Sequence, residues 1–270
     1  MKILAVDGNW VLFRAASVQP ESTLDPSTDI AKRFVGMICR DAAAVKATHL
    51  FVAFDGPRNF RYEIDKEYKA NRGEKSNVYD YLGGLLEYLA MLGIPSVQLS
   101  KYEADDILCS VANKYPNVVI ATKDKDAYQY LKDGVILYDS SNKVNGKPSP
   151  KITKHTDVEA IYGVPAKLMV DLQTLIGDKI DNVPSIVPKS KAIKGLLKYG
   201  SITEWASKDK EFKSVCRYYK DRLVKNQKLV KLVSNVKIEV PGINWNLDSK
   251  LPTSYIQYRD QQNPKSKGLF

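Results

Sequence analysis

The stretch Glu103-Ala104-Asp105-Asp106 puts three carboxylates within four residues at the head of an apolar helical pattern. Crowded carboxylates repel one another, so such a group either faces water or holds a cation. More acids recur in short motifs: Asp7-Gly8-Asn9, Asp55-Gly56-Pro57, Asp124-Lys125-Asp126, and Asp178 with Asp181. Oxygen ligands select hard cations, Mg²⁺ or Mn²⁺. So many carboxylates exceed the needs of one Mg²⁺. They suit two ions about 3.5–4 Å apart, the arrangement that clamps attacking and leaving oxygens in phosphodiester hydrolysis. Asp124 and Asp126, two apart in an extended loop, point the same way. Asp178 and Asp181, three apart, share one face of a turn. The quartet carries a condition. In a regular helix Glu103 and Asp106 share a face and Asp105 points away. Joint metal binding by Glu103 and Asp105 needs Glu103 to precede the first turn, or to reach round.

Other chemistries have less support. The two histidines, His49 and His155, are far apart. The three cysteines, Cys39, Cys109 and Cys216, are scattered, have no zinc spacing and suit a reducing compartment. The N-terminal Met1–Asp7 meets an acid too early for an export signal. The longest apolar runs are too short to span a bilayer. The expected location is the cytoplasm (the host's, if phage-encoded).

The elements that position the acids follow from periodicity. Residues 2–6, 50–54, 94–99, 117–121 and 135–138 read as strands, and 28–47, 79–92 and about 103–115 as helices. Strands alternating with helices predict an α/β fold with a mostly parallel central sheet. In such sheets ligands bind at the carboxyl ends of the strands, where Asp7, Asp55 and the Asp124/Asp126 pair all fall. Residues 1–140 are expected to form this core, with a polar, basic segment at about 60–78. Residues 142–150 read as a loop or hairpin. Residues 155–162, 165–176, 188–199 and pieces of 201–234 read as helices, giving a second, helical region over 141–235. An extension with a loose basic end, Pro264–Phe270, covers 236–270.

Net charge is +10 and unevenly spread. From Lys189 onward there are 18 Lys and Arg against 7 Asp and Glu; before it, 23 against 24. A basic region following a near-neutral, Asp-rich one points to a polyanion partner, most simply nucleic acid.

In order, Asp7, Phe54-Asp55-Gly56, Phe60-Arg61, Tyr68-Lys69-x-x-Arg72, Glu103-Ala-Asp-Asp106, Thr122-x-Asp124-x-Asp126 and Gly177-Asp178-x-x-Asp181-Asn182 resemble the 5′-nuclease, or flap endonuclease, family. That family includes the 5′-nuclease domain of bacterial DNA polymerase I and the stand-alone 5′ nucleases of tailed phages. The resemblance runs from residue 2 to about residue 235. It implies a PIN-like 5′-nuclease core and a Mg²⁺-dependent 5′→3′ exonuclease and flap endonuclease working through two ions, with Mn²⁺ able to substitute. Asp7, Asp55, Glu103 and Asp105 match positions holding the first ion. Asp105, Asp124, Asp126 and Asp181 match those around the second, with Asp106 and Asp178 in outer roles. The segment Arg61–Lys75 matches the helical arch over the free 5′ strand. Lys69 and Arg72 match residues that hold the scissile phosphate, and Tyr68 is placed to stack on a base. The implied substrate is DNA with a 5′ end or flap, including RNA of RNA–DNA hybrids. A single-strand-binding or replication protein is an implied partner for the tail, and the chain is expected to be monomeric.

One segment departs from the pattern. Where the family has a Gly-rich hairpin that binds duplex phosphates and K⁺, this chain reads Ser185-Ile186-Val187-Pro188-Lys189-Ser190-Lys191, without glycine. Val187 and Pro188 resist positive φ, which speaks against the K⁺ site. Pro188 can still open a helix whose N-terminal amides, with Lys189, Ser190 and Lys191, accept a duplex phosphate. A dedicated RNase of the related PIN class would lack the arch and the basic helical region. A HAD-type phosphatase needs an Asp where Asn9 stands. An inert nucleic-acid-binding module that kept the fold is the alternative from another class, and it gains nothing from gathering so many acids.

Overall fold

The computed structural model describes residues 1–18, 26–71 and 77–238. In chain order the first elements are β1 (Ile3–Asp7), α1 (Gly8–Ala16), α2 (Pro26–Ala44), β2 (His49–Phe54), α3 (Arg61–Ile64) and α4 (Leu82–Met91). Next come β3 (Ser96–Gln98), α5 (Ala104–Lys114), β4 (Val118–Ala121) and β5 (Val135–Asp139). A small hairpin, β6 (Lys143–Val144) with β7 (Lys147–Pro148), leads into β8 (Lys151–Thr153). The remainder is helical: α6 (Val158–Tyr162), α7 (Met169–Ile176), α8 (Lys189–Tyr199), α9 (Ile202–Lys208), α10 (Lys210–Tyr218) and α11 (Lys220–Val230).

The main sheet has the order β3-β2-β1-β4-β5-β8. β1 pairs in parallel with β2 on one side and β4 on the other, and only β8 runs antiparallel, against β5. The inner strands are apolar runs because helices cover both faces; β1, β2 and β4 are buried along their whole lengths. On one face Leu4, Val6 and Val52 pack against Val11 and Leu12 of α1, Phe34 and Ile38 of α2, and Leu89 of α4. On the other, Ile3, Ala5 and Ile120 pack against Ile107, Leu108 and Val111 of α5, and this core continues into Leu172 and Leu175 of α7. Burying each such Val, Leu, Ile or Phe side chain contributes about 1.5–3 kcal/mol.

This topology fixes where a ligand binds. The chain steps from β1 to β2 and β3 on one side, then to β4 and β5 on the other. The connections leaving β1 and β4 therefore diverge and open a crevice at the carboxyl edge.

Two expectations change. The boundary near residue 140 falls inside the sheet, since β8 returns to pair with β5 and one core joins α5 to α7. The segment between Asn9 and residue 28, to which no element is assigned from sequence, begins within α1; Val11, Leu12 and Ala15 supply its buried face. Arg72 and the basic end Pro264–Phe270 lie outside the described residues.

Candidate active site

Asp7 is the last residue of β1 and also caps α1. Its Oδ1 accepts from Trp10 N at 3.0 Å and its Oδ2 from Thr122 Oγ1 at 2.9 Å. Asp55 follows β2 directly. There Gly56 passes so close to the next loop that a Cβ would lie 1.6 Å from Leu99 O. That approach brings Asp55 Oδ1 to 2.8 Å from Ala104 N, at the positive end of α5. Glu103 caps α5 in an extended conformation, φ −83° and ψ 160°. It precedes the first turn, so the condition set by the sequence is met. Asp105 sits within that turn. Its Oδ1 is buried and has no hydrogen-bond partner among the described residues. Asp124 follows β4 and its Oδ1 accepts from Asp126 N at 2.8 Å. These five acids, with Lys69, line one cleft of about 330 Å³.

A second group adjoins the first through the Asp124–Asp126 loop. Asp126, Asp178 and Asp181 offer oxygens that all lie within 4.8 Å of one another. Asp178 and Asp181 are held by a tight turn closed by two backbone bonds, Asp178 N to Val183 O at 2.8 Å and Val183 N to Asp178 O at 2.7 Å. Gly177 begins it at φ +68°, where a Cβ would meet Val183 O at 2.3 Å, so a side chain here is excluded twice over. Lys125 Nζ lies 2.5 Å from Asp178 and 3.4 Å from Asp126.

Burial dominates the electrostatics. It pushes Asp7 up to about 7, helped by Asp55 and Asp124. It pushes Asp126 up to about 7 with the help of Asp124, against the pull of Lys125. Asp105 is raised well above the usual carboxylate range by burial and then by Asp124, Asp7 and Asp126. Glu103 is raised by burial despite Lys69 and Arg61. In this site Asp178 moves down: burial works against it, but Lys125 wins. Anions gathered at this cost call for cations or protons. An all-oxygen donor set containing one orphaned buried oxygen fits hard divalent ions.

The pH dependence follows. Asp7 and Asp126 are raised from the usual 3.8. Without metal, protonation stabilises the fold at low pH, and that stability is lost as the pH rises from about 4 through about 7. A divalent ion displaces those protons. Mg²⁺ is therefore expected to raise Tm, relative to EDTA, more at about pH 8 than at about pH 5.5. Equal shifts in melts at the two pH values would contradict this.

Three residues read from sequence as nucleic-acid or metal contacts have other roles. Arg61 is fully buried. Its Nη1 and Nη2 donate to the two oxygens of Asp106 at 2.7 and 2.8 Å, and its Nε to Leu229 O at 2.8 Å. It is a structural clamp, out of reach of a substrate. Asp106, 0% exposed, is saturated by Arg61, by Glu103 N at 3.1 Å and by Val233 N at 2.8 Å, so an outer metal role gives way to holding Glu103. Tyr68 is buried rather than stacked for a base. Its hydroxyl lies 3.3 Å from both Glu103 Oε2 and Asp181 Oδ2, spanning the two acidic groups.

Lys69 adopts φ 60°, a conformation that non-glycine residues seldom take. Its N donates to Asp181 O at 3.0 Å and its ammonium pairs with Glu103. Pro188 caps α8, and Lys189, Ser190 and Lys191 form the first turn. Ser190 and Lys191 line a separate groove with Lys194 and Lys198; Lys191 is exposed and 2.8 Å from Glu211.

Sequence reasoning passed over residues that hold the acids. Gln173 on α7 is buried and donates to Asp126. Its only local signal is its place one turn from Met169 and Ile176, on a buried helix face. Asn182, at φ 58°, donates to Glu67 O at 2.9 Å, and Asn71 reaches back to Lys179 O at 3.0 Å. These bonds tie the foot of the basic segment to the Asp178–Val183 turn.

Known proteins resemble this chain in sequence and in fold. The family model "5′-3′ exonuclease, N-terminal resolvase-like domain" matches residues 2–163. The 5′-3′ exonuclease of Aquifex aeolicus is 30% identical over 255 residues, 89% of this chain and 85% of that protein. DNA polymerase I of Caldicellulosiruptor bescii is 31% identical over 265 residues, 91% of this chain and 31% of that protein. The chain thus spans about a third of the length of the polymerase relatives it matches. The bacteriophage T5 5′-exonuclease, in a structure with zinc bound, superimposes with a TM-score of 0.70 at 20% identity, covering 86% of this chain and 90% of that one. This chain belongs to the 5′–3′ exonuclease family.

Proposed function

We propose that the chain is a Mg²⁺-dependent 5′→3′ exonuclease and structure-specific flap endonuclease acting on DNA, and on RNA primers in RNA–DNA hybrids. The observation that carries the reading is the buried, orphaned Asp105 oxygen amid carboxylates from four sheet-edge motifs, with Lys69 in the same cleft. Asp7, Asp55, Glu103 and Asp105 would hold one ion. Asp105, Asp124, Asp126 and Asp181 would hold another, and Asp178 supports the second group through Lys125. When bound, such ions activate water and stabilise the leaving 3′ oxygen.

The chain's own residues do the rest. Lys69, fixed by its backbone bond to Asp181 O, brings a cation to the phosphate. Tyr68 carries a proton that is hard to lose, because burial, Glu103 and Asp181 all raise its pKa; its hydroxyl therefore donates to the acids and keeps the two groups in register. Arg61 and Asp106 hold Glu103 at the head of α5. Lys189, Ser190 and Lys191 on α8 offer cations and amides to a duplex phosphate. A replication or single-strand-binding protein is a partner for the basic C-terminal end. Among the described residues no helix is long and apolar enough to cross a membrane.

The test is a labelled 5′-flap substrate in Mg²⁺ or in EDTA. Cleavage near the junction in Mg²⁺ alone is expected. Tight binding without Mg²⁺-dependent cleavage would instead make the chain an inert binding module. Running the flap with a DNA or an RNA 5′ arm reports the sugar preference.

A further inference from the structure

Helices α10 and α11 meet at a bend, Tyr218-Tyr219-Lys220, that the candidate active site does not use. From Lys210 to Val230 the chain carries more basic than acidic residues. Arg217, Lys220, Arg222 and Lys225 line a groove of about 820 Å³ at this bend. Tyr218 is 81% exposed. Its ring meets Tyr219 edge-on, centroids 4.7 Å apart at 84°. The Arg222 guanidinium lies 5.7 Å from the centre of the Tyr219 ring.

The groove is anchored to the candidate active site at its other wall. Pro184, just past the Asp178–Val183 turn, lines it, and its carbonyl accepts from Asn226 Nδ2 at 2.8 Å. Asp65, at the end of α3, also lines it and holds Lys225 at 2.6 Å. The surface therefore runs from the exposed tyrosine to the foot of the segment that carries Lys69.

We propose that this groove binds an unpaired nucleic-acid strand, with Tyr218 stacking on a base and Arg217, Lys220 and Arg222 facing phosphates. The cations match a polyanion. The ring selects among polyanions. A duplex hides its base faces in the stack, whereas an unpaired strand offers a π-face beside each phosphate. The inference rests on the reading of the substrate as nucleic acid, but it concerns binding rather than cleavage.

The test uses the full chain in EDTA and fluorescence anisotropy with two labelled probes, an unstructured oligonucleotide and a blunt hairpin duplex. Tyr218→Ala is expected to weaken strand binding about tenfold, with Tyr218→Phe close to the parent and duplex affinity unchanged. The double variant Arg217→Ala/Arg222→Ala is expected to flatten the dependence of log affinity on log salt for the strand, by about 0.7 for each phosphate left without its arginine. Unchanged strand affinity in Tyr218→Ala, or an equal loss for strand and duplex, would overturn the proposal. Because Tyr218 is so exposed, matching thermal melts serve as the folding control. Failure of the parent to cleave in Mg²⁺ would sink the nuclease reading and leave this measurement, made without metal, intact.

Discussion

Asp105→Asn is expected to lower turnover at least about 100-fold while leaving duplex affinity near that of the parent. Burial raises Asp105, and the next contributors are Asp124, Asp7 and Asp126, from both carboxylate groups. It feels both groups, and the proposed sharing of two ions depends on its charge. Asparagine keeps the shape and removes that charge. The same change has a second readout. Asparagine stands in for the protonated acid that burial favours, so in EDTA it should raise Tm chiefly at high pH, where the parent's Asp105 is driven to its charged form, and no partner of Oδ1 is orphaned. Loss of activity with a higher metal-free Tm separates a functional defect from a folding one. Normal turnover would remove Asp105 from the site.

Arg61→Ala is expected to destabilise the fold by about 3–5 kcal/mol, because it strands Asp106 as an unpaired buried charge. In denaturant unfolding this is a large drop in midpoint with little change in slope. Arg61 also holds Leu229 O and approaches Lys231 O at 3.3 Å, so its loss loosens the end of α11 from α3 and α5. Lysine is no substitute for the two-pronged geometry. Activity should fall as well, because Asp106 fixes Glu103 N. Should the variant melt like the parent yet bind DNA more weakly, Arg61 would return to the nucleic-acid contacts suggested by its sequence context.

Arg61 also shows where sequence reading stopped. Asp7, Asp55 and Asp124 were legible because each follows an apolar run, and parallel strands end at one edge. Asp105 was legible only conditionally; the extended backbone at Glu103 resolved it. Arg61 and Tyr68 lie in a polar segment with no apolar period, where burial has no local signature. The acceptors of Arg61's side-chain hydrogen bonds are 45 to 170 residues away, and those of Tyr68 35 and 113. A basic residue there reads as a surface cation until the third dimension closes over it. β8 escaped for another reason: three residues are too few to show a period, and two of them are exposed. Gln173 sits beside Asp171 and Thr174 in a helix of mixed polarity, and nothing local points to Asp126.

The central claim is that these carboxylates hold two divalent ions that share Asp105. The most direct test counts Mn²⁺ bound per chain, from the free-ion signal in electron paramagnetic resonance at about pH 8, where bound protons compete least. Two ions per parent chain are expected, with both bound more weakly in Asp105→Asn. A single ion, or two ions undisturbed by Asp105→Asn, would contradict that claim.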